Sequence, residues 1–200
     1  APLREAFESR VGRLNIEGAL VVGEELVLLQ RGNKGDRRNA RIRLRLERAI
    51  AALVAHARLD AEGLVDIAEV ELGTVGDVPL CFSDGASLPD GRVVFTAIAE
   101  DTDDSYEDGA CKGAAIGVLS QAGRLERLEP IDPPYKVEGI EAWLADRSGW
   151  QLGADRAAYW NPDTGVYFGI DWLTEGAPAP LVFDLDVFLP PIGGHTIYNF

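Results

Sequence analysis

The stretch Phe82-Ser83-Asp84-Gly85-Ala86-Ser87-Leu88, then Pro89-Asp90-Gly91, then Arg92-Val93-Val94-Phe95-Thr96-Ala97, decides how the chain is read. An acid-Gly pair leads into a short apolar run, a turn follows, and a second apolar run returns. The turn has a mechanism: Pro fixes φ, and Gly accepts φ > 0. Two other stretches share this order. Glu17-Gly18 precedes Ala19–Val22, Gly23-Glu24-Glu25 and Leu26–Gln30. Glu138-Gly139 precedes Ile140–Leu144, Ala145–Gly149 and Trp150–Leu152.

The three acids stand 67 and 54 residues apart (17, 84 and 138). A repeat of short strands at such a period suggests propeller blades, whose compact forms take ~40–50 residues, so the extra length must sit in insertions. One insertion is the Ala-, Leu- and Arg-rich run from Leu46 to Leu59, which has helical composition. Another is the polar run from Glu100 to Gly113. The expected fold is therefore all-β, a propeller or partial propeller of about four blades with one inserted helix, in a single domain over residues 1–200. Strands are expected near 18–22, 26–30, 86–88, 92–98, 115–119 and 139–144. Residues 144–200 are the hardest to place: prolines at 178, 180, 190 and 191 flank the alternating run Leu181–Phe188.

Composition bounds the function. The chain has 200 residues, 46% apolar and 26% charged, which is ordinary for a globular protein with a real core. With 33 acids against 19 bases the net charge is −14. That argues against nucleic acid and anionic membrane as general partners and fits a cation, a basic partner or solubility. No run of 18 apolar residues suggests a spanning helix. The expected setting is soluble, with cytoplasm and periplasm both open, and a small-molecule ligand is compatible. Nothing in the sequence bears on oligomeric state. Methionine is absent, which fits a processed chain, a fragment or an imperfectly known sequence.

Cys81 and Cys111 are the only cysteines, and they leave a bridge and free thiols both open. With no CxxC and two distant histidines, His56 and His195, a Cys/His zinc site is excluded. No GxSxG occurs, so a Ser-His-Asp hydrolase lacks support and no catalytic residue is assigned.

Three groups could carry chemistry. The innermost strands of a propeller line its channel, so Glu17, Asp84 and Glu138 would converge there. Converged carboxylates repel each other unless a cation or base lies among them, and oxygen donors suit calcium or magnesium. The alternative is that each acid only holds a turn before its Gly. The loop Gln30–Asn39 is basic in an acidic protein. Arg31, with Asn33 and Asn39, could receive an anionic group; solvated bases on a hairpin loop are the alternative. The loop Glu100–Gly109 carries Glu100, Asp101, Asp103 and Asp104 but lacks EF-hand spacing, so a solvated loop competes with a secondary cation site.

The segments Leu14–Gly18, Leu28–Asn33 with Asn39, Phe82–Asp84, Leu88–Gly91, Ala99–Asp104, Ala115–Leu119 and Lys136–Gly139 together resemble a bacterial family of uncharacterised β-propellers. That family is distantly similar to the esterase-like proteins associated with phytase. The resemblance spans roughly residues 13–140 and implies a propeller with acids around its channel, without an established reaction. It also implies a longer N-terminus, so that this chain corresponds to the C-terminal portion of its relatives. Beyond Trp143 the family's closing strand and acidic turn are not recognisable.

Two functions follow as expectations. One is a metal-assisted hydrolase of a small ester, lactone or phosphoester, its divalent cation polarising the substrate or acidifying a bound water. The other is a non-catalytic ligand- or protein-binding propeller, which the lack of a histidine near the channel favours.

Overall fold

The computed structural model describes residues 3–88, 90–103, 109–132, 134, 136–144, 156–161 and 166–171. Helix α1 (Leu3–Val11) comes first. Strands β1 (Ile16–Val22), β2 (Glu25–Gln30), β3 (Ala40–Arg45) and β4 (Leu64–Glu69) form an antiparallel sheet in the order β1-β2-β3-β4, with helix α2 (Leu46–His56) inserted between β3 and β4. A short hairpin of β5 (Thr74–Val75) and β6 (Val78–Pro79) leads to a second sheet. There β7 (Cys81–Ser87), β8 (Val93–Asp101), β9 (Ala110–Leu119) and β10 (Leu125–Ile131) repeat the same order of consecutive neighbours. Strands β11 (Glu141–Leu144), β12 (Arg156–Asn161) and β13 (Val166–Asp171) form a third sheet in which β13 is central.

The chain is thus mainly β and antiparallel, as the sequence implies. Each of the six expected strands overlaps an observed one, and α2 lies inside the expected 46–59. The structure adds α1 and the strands β3, β4, β5, β6, β10, β12 and β13. The expected strand at 150–152 and the run at 181–188 lie outside the described residues.

Turn chemistry explains the two hairpins that open the four-stranded sheets. Val22 faces Glu25 across a two-residue turn whose first residue, Gly23, has φ +58°. In the second sheet Gly91 takes φ +83°, and its N–H donates to the Leu88 carbonyl at 2.9 Å.

The continuous apolar run Leu26–Leu29 is what a strand covered on both faces needs, because alternate side chains leave on opposite sides. Leu28 joins Ala40, Ile42 and Leu44 beneath Leu3 and Phe7 of α1, which closes one face of the first sheet. Val27 and Leu29 point the other way, into the seam between the sheets, where they meet Phe82, Val93, Phe95, Ala97, Ala115 and Leu119. Phe82 and Phe95 pack edge to face, with centroids 4.9 Å apart.

The first strands, β1 and β7, run side by side. A Cβ on Gly85 would lie 2.6 Å from Leu29 Cδ1, and one on Gly18 would lie 3.0 Å from the same atom. Both glycines therefore open the space that the fully buried Leu29 fills. The first two acid-Gly pairs also sit at register irregularities, between Ile16 and Gly18 in β1 and between Phe82 and Asp84 in β7. Such bulges re-aim nearby side chains.

Asn39 ties the sheets together from within. Its Oδ1 accepts from the N–H groups of Gly32 (3.1 Å) and Phe82 (3.2 Å), and its Nδ2 donates to the Leu80 carbonyl at 2.8 Å. A second tie crosses further out. Arg41 on β3 donates to the carbonyls of Gln121 (3.3 Å) and Ala122 (3.1 Å) in the β9–β10 turn, its guanidinium resting against Gly123. Replacing Asn39 with Leu removes three buried hydrogen bonds and strands their backbone partners. We expect a loss of about 3 kcal/mol or more, at roughly 1 kcal/mol per stranded group, read from urea unfolding midpoints at constant slope.

Candidate functional site

The residues that the sequence marks as chemical meet where β1, β7 and the segment before β11 come together. Arg31 directly follows β2, where Gln30 holds the backbone in place. Gln30 is buried; its Oε1 accepts from the Asn15 N–H at 2.8 Å, and its Nε2 donates to the Arg31 carbonyl at 2.8 Å. From that support the Arg31 guanidinium reaches Glu17 at 3.3 Å and forms a second, short ion pair with Glu100. Glu100 is the hub: its side chain is only 6% exposed, it accepts from the Gly109 N–H at 3.0 Å, and it lies 3.2 Å from Lys136 Nζ. Lys136 in turn lies 3.1 Å from Glu138. The chain of charges runs Glu17, Arg31, Glu100, Lys136, Glu138.

Asp84 stands beside this chain and is bonded differently. Its Oδ2 accepts from the Ile140 N–H at 2.9 Å. Among the described residues no basic side chain lies within ion-pair distance of it. Burial pushes its carboxyl above the ordinary range, the N–H groups of Ile140 and Gly85 oppose that shift, and the neighbouring Glu17 charge adds to it. Glu17, Asp84 and Glu138 therefore lie in one region, with Arg31 and Lys136 between them. Among the described residues no three acidic, Cys or His side chains are grouped so as to hold a metal ion.

The two loops that the sequence presents as separate candidates neutralise each other. Besides Arg31 with Glu100, Lys34 meets Asp101 at 2.8 Å, and the Lys34 N–H donates to the Thr102 carbonyl at 3.2 Å. The ion pair with Lys34 holds the Asp101 carboxyl below its usual range and raises Lys34. Asp103 runs alongside Gly35. Asn33 shapes the basic loop, its Oδ1 accepting from the Asp36 N–H at 2.6 Å, and Asn39 is turned inward as the seam clamp. Asp104 lies outside the described residues. Nothing local in the sequence marks Glu100 as a hub or Lys136 as its partner, because the first sits inside a run of acids and the second beside a Glu-Gly pair that dominates its segment.

Residues 1–154 match the model of a family described as a family of unknown function (DUF6910). The chain belongs to that family. The DUF6910 match takes in both four-stranded sheets and every charged residue of the site. No curated protein and no solved structure matches the chain.

Cys81 and Cys111 are both free thiols, Cys81 buried and Cys111 half-buried. Burial pushes the Cys81 thiol up to about 11 and also raises Cys111, so neither is a reactive thiolate near neutral pH. The described residues contain no helix long and apolar enough to cross a membrane.

Glu100 carries the central prediction for this site. Glu100→Ala leaves Arg31 and Lys136 facing each other without their shared acid. We expect a loss of about 2–4 kcal/mol, toward the low end for a broken buried pair because both bases keep some water. Glu100→Gln, which still accepts from Gly109, costs less. Chemical denaturation of the two variants checks the order.

Proposed function

We propose that this chain contributes successive blades to a binding β-propeller, and that the end of its channel takes a small cationic ligand. Two consecutive four-stranded meanders with adjoining first strands support the blade reading. The observation that carries the ligand reading is the charge balance of the site. Glu17, Asp84, Glu100 and Glu138 supply four negative charges against two positive ones from Arg31 and Lys136. Of the two surplus charges, one belongs to Asp84, which is engaged only by backbone N–H groups among the described residues.

A cationic group placed against Asp84 gains attraction without displacing an existing partner. Calcium or magnesium is one such group, with Asp84 as its anchor and water completing the shell. Entry of the metal between Glu17 and Glu138 would have to displace Arg31 and Lys136, so Asp84 is the residue on which cation binding depends. An ammonium-bearing small molecule fits the same surplus of charge.

A hydrolytic reading rests on the same carboxyl. A raised carboxyl in a half-buried site suits proton transfer nearer neutral pH than an ordinary Asp. Asp84 is then the acid or base for a small ester, lactone or phosphoester, and a bound divalent cation would supply Lewis acidity.

The test is a thermal and chemical stability titration with calcium, magnesium and a monoamine. A cation that binds only the folded chain adds about 2.7 kcal/mol at a hundredfold excess over Kd. Asp84→Asn removes that gain. Stability of the wild type that is indifferent to every cation, or equal gains in both proteins, contradicts the reading.

The raised Asp84 carboxyl also sets a pH dependence. Its folded pKa lies above the unfolded value of about 3.9, so its favourable contribution is complete below that value and is lost as pH rises through the folded pKa. Asp84→Asn should therefore match the wild type most closely near pH 3 and gain on it as pH rises into the neutral range, without added metal. Unfolding free energies across that range check the sign.

A further inference from the structure

Helix α2 is turned the wrong way for a helix that serves only its own core. A surface helix normally buries its large apolar side chains and exposes its polar ones. Here the buried residues are the small Ala49 and Ala52. Ile50, Leu53 and Val54 are 51%, 46% and 83% exposed, and their i, i+3, i+4 spacing makes one stripe along the outside. The apolar stripe is flanked by acids at one end, Glu47 with Glu24 beside Arg45 and Arg48, and by Arg58 at the other. Glu47 lies in the first turn, well exposed and only 4.0 Å from Arg48 as its nearest base. His56 closes the last turn, and Arg58 follows the left-handed Ala57, with no ion pair among the described residues.

We propose that two copies of this chain pair through α2, the helices antiparallel about a two-fold axis near Leu53. A two-fold interface must be self-complementary, and this surface meets that condition. Antiparallel docking sets Ile50 against the partner's Val54 and Leu53 close to its own mate. It sets Glu47 against the partner's Arg58, and symmetry repeats the contact. The helix dipoles then run in opposite senses, which favours the same arrangement. At the N-terminal end of the stripe, Gly23, Glu24, Arg45, Leu46, Glu47 and Ile50 line a cavity of about 400 Å³, which gives the C-terminal end of the partner helix room to seat. The net charge of −14 disfavours an anionic lipid surface as the occupant.

The pairing is weak by its size. Eleven residues make a helix of about 16 Å, and one such stripe falls short of the ~800 Å² per partner typical of a stable complex. The dimer is therefore concentration-dependent. Sedimentation of the wild type from about 1 μM to about 1 mM should show reversible monomer–dimer exchange within that range. Leu53→Asp should raise Kd at least tenfold while leaving the melting temperature of the monomer unchanged, since Leu53 is largely outside the core.

Charge reversal supplies the specific arm. Glu47→Arg alone and Arg58→Glu alone should each raise Kd about tenfold, because each turns two symmetric attractions into repulsions. The two together should restore wild-type pairing. A wild type that stays monomeric throughout overturns the proposal. So does a dimer insensitive to Leu53→Asp, or a double variant no better than either single one. Binding of wild-type chain to phosphatidylserine vesicles without self-association would assign the stripe to a membrane instead and equally overturn it.

Discussion

Leu29 packed between Gly18 and Gly85 is the contact on which the arrangement depends. The two four-stranded sheets bring β1 and β7 together, and backbones approach that closely only where no Cβ intervenes. With glycine at both positions, one leucine side chain fills the gap that both strands share. Neighbouring apolar groups, Val27 from one side and Phe82 with Phe95 from the other, extend this plug into a continuous seam. Packing at that density leaves little room for change: an added methyl or a lost one is felt by both sheets.

The same contact explains why charge gathers where it does. Each glycine that opens the seam is preceded by an acid at a bulge, so closing the seam carries Glu17 and Asp84 to one end of it. Placed there, the carboxylates need partners. Arg31 reaches Glu17 and Glu100 from the loop after β2, and Lys136 reaches Glu100 and Glu138 from the segment before β11. The ionic chain thus locks loops that lie far apart in sequence onto the end of the seam. Asp84, lacking such a base among the described residues, is held instead by the backbone N–H groups of Ile140 and Gly85.

Much of the fold was legible because short-range signals carry it. Pro89-Asp90-Gly91 and the two-residue turn at Gly23-Glu24 fix hairpins on their own, and Leu26–Leu29 reads directly as a doubly covered strand. The outer strands were harder. In Ala40–Arg45 the seam-side positions are arginines, and Leu125–Ile131 carries three charged residues and a proline, so both lack the apolar run that signals a buried strand. Helix α1 owes its place to Leu3 and Phe7 packing on the first sheet, a tertiary contact that nine residues of sequence do not announce.

At the site, the repeat singles out Glu17, Asp84 and Glu138; Glu17 and Asp84 sit at matching bulges in β1 and β7, whereas Glu138 precedes β11 and is linked to the others through Lys136 and Glu100. It could not supply their partners. Arg31 and Glu100 are 69 residues apart, and nothing local marks that pairing; for the same reason Lys34 and Asp101 looked like parts of two independent loops rather than one. The inward role of Asn39 also depends on Leu80 and Phe82 arriving from the second sheet.

The seam is tested most directly by a double-mutant cycle joining Gly85→Ala and Leu29→Ala, with unfolding free energies measured for all four proteins. Gly85→Ala alone should cost about 1–3 kcal/mol through overpacking, and Leu29→Ala about 2–5 kcal/mol through the cavity it leaves. Once Leu29 is truncated, the added methyl at Gly85 has space. The account predicts that Gly85→Ala then costs far less, with a coupling of at least about 1 kcal/mol in favour of the double variant. Strict additivity of the two changes would mean that Leu29 does not sit between the glycines, and it would contradict the account of how the sheets meet.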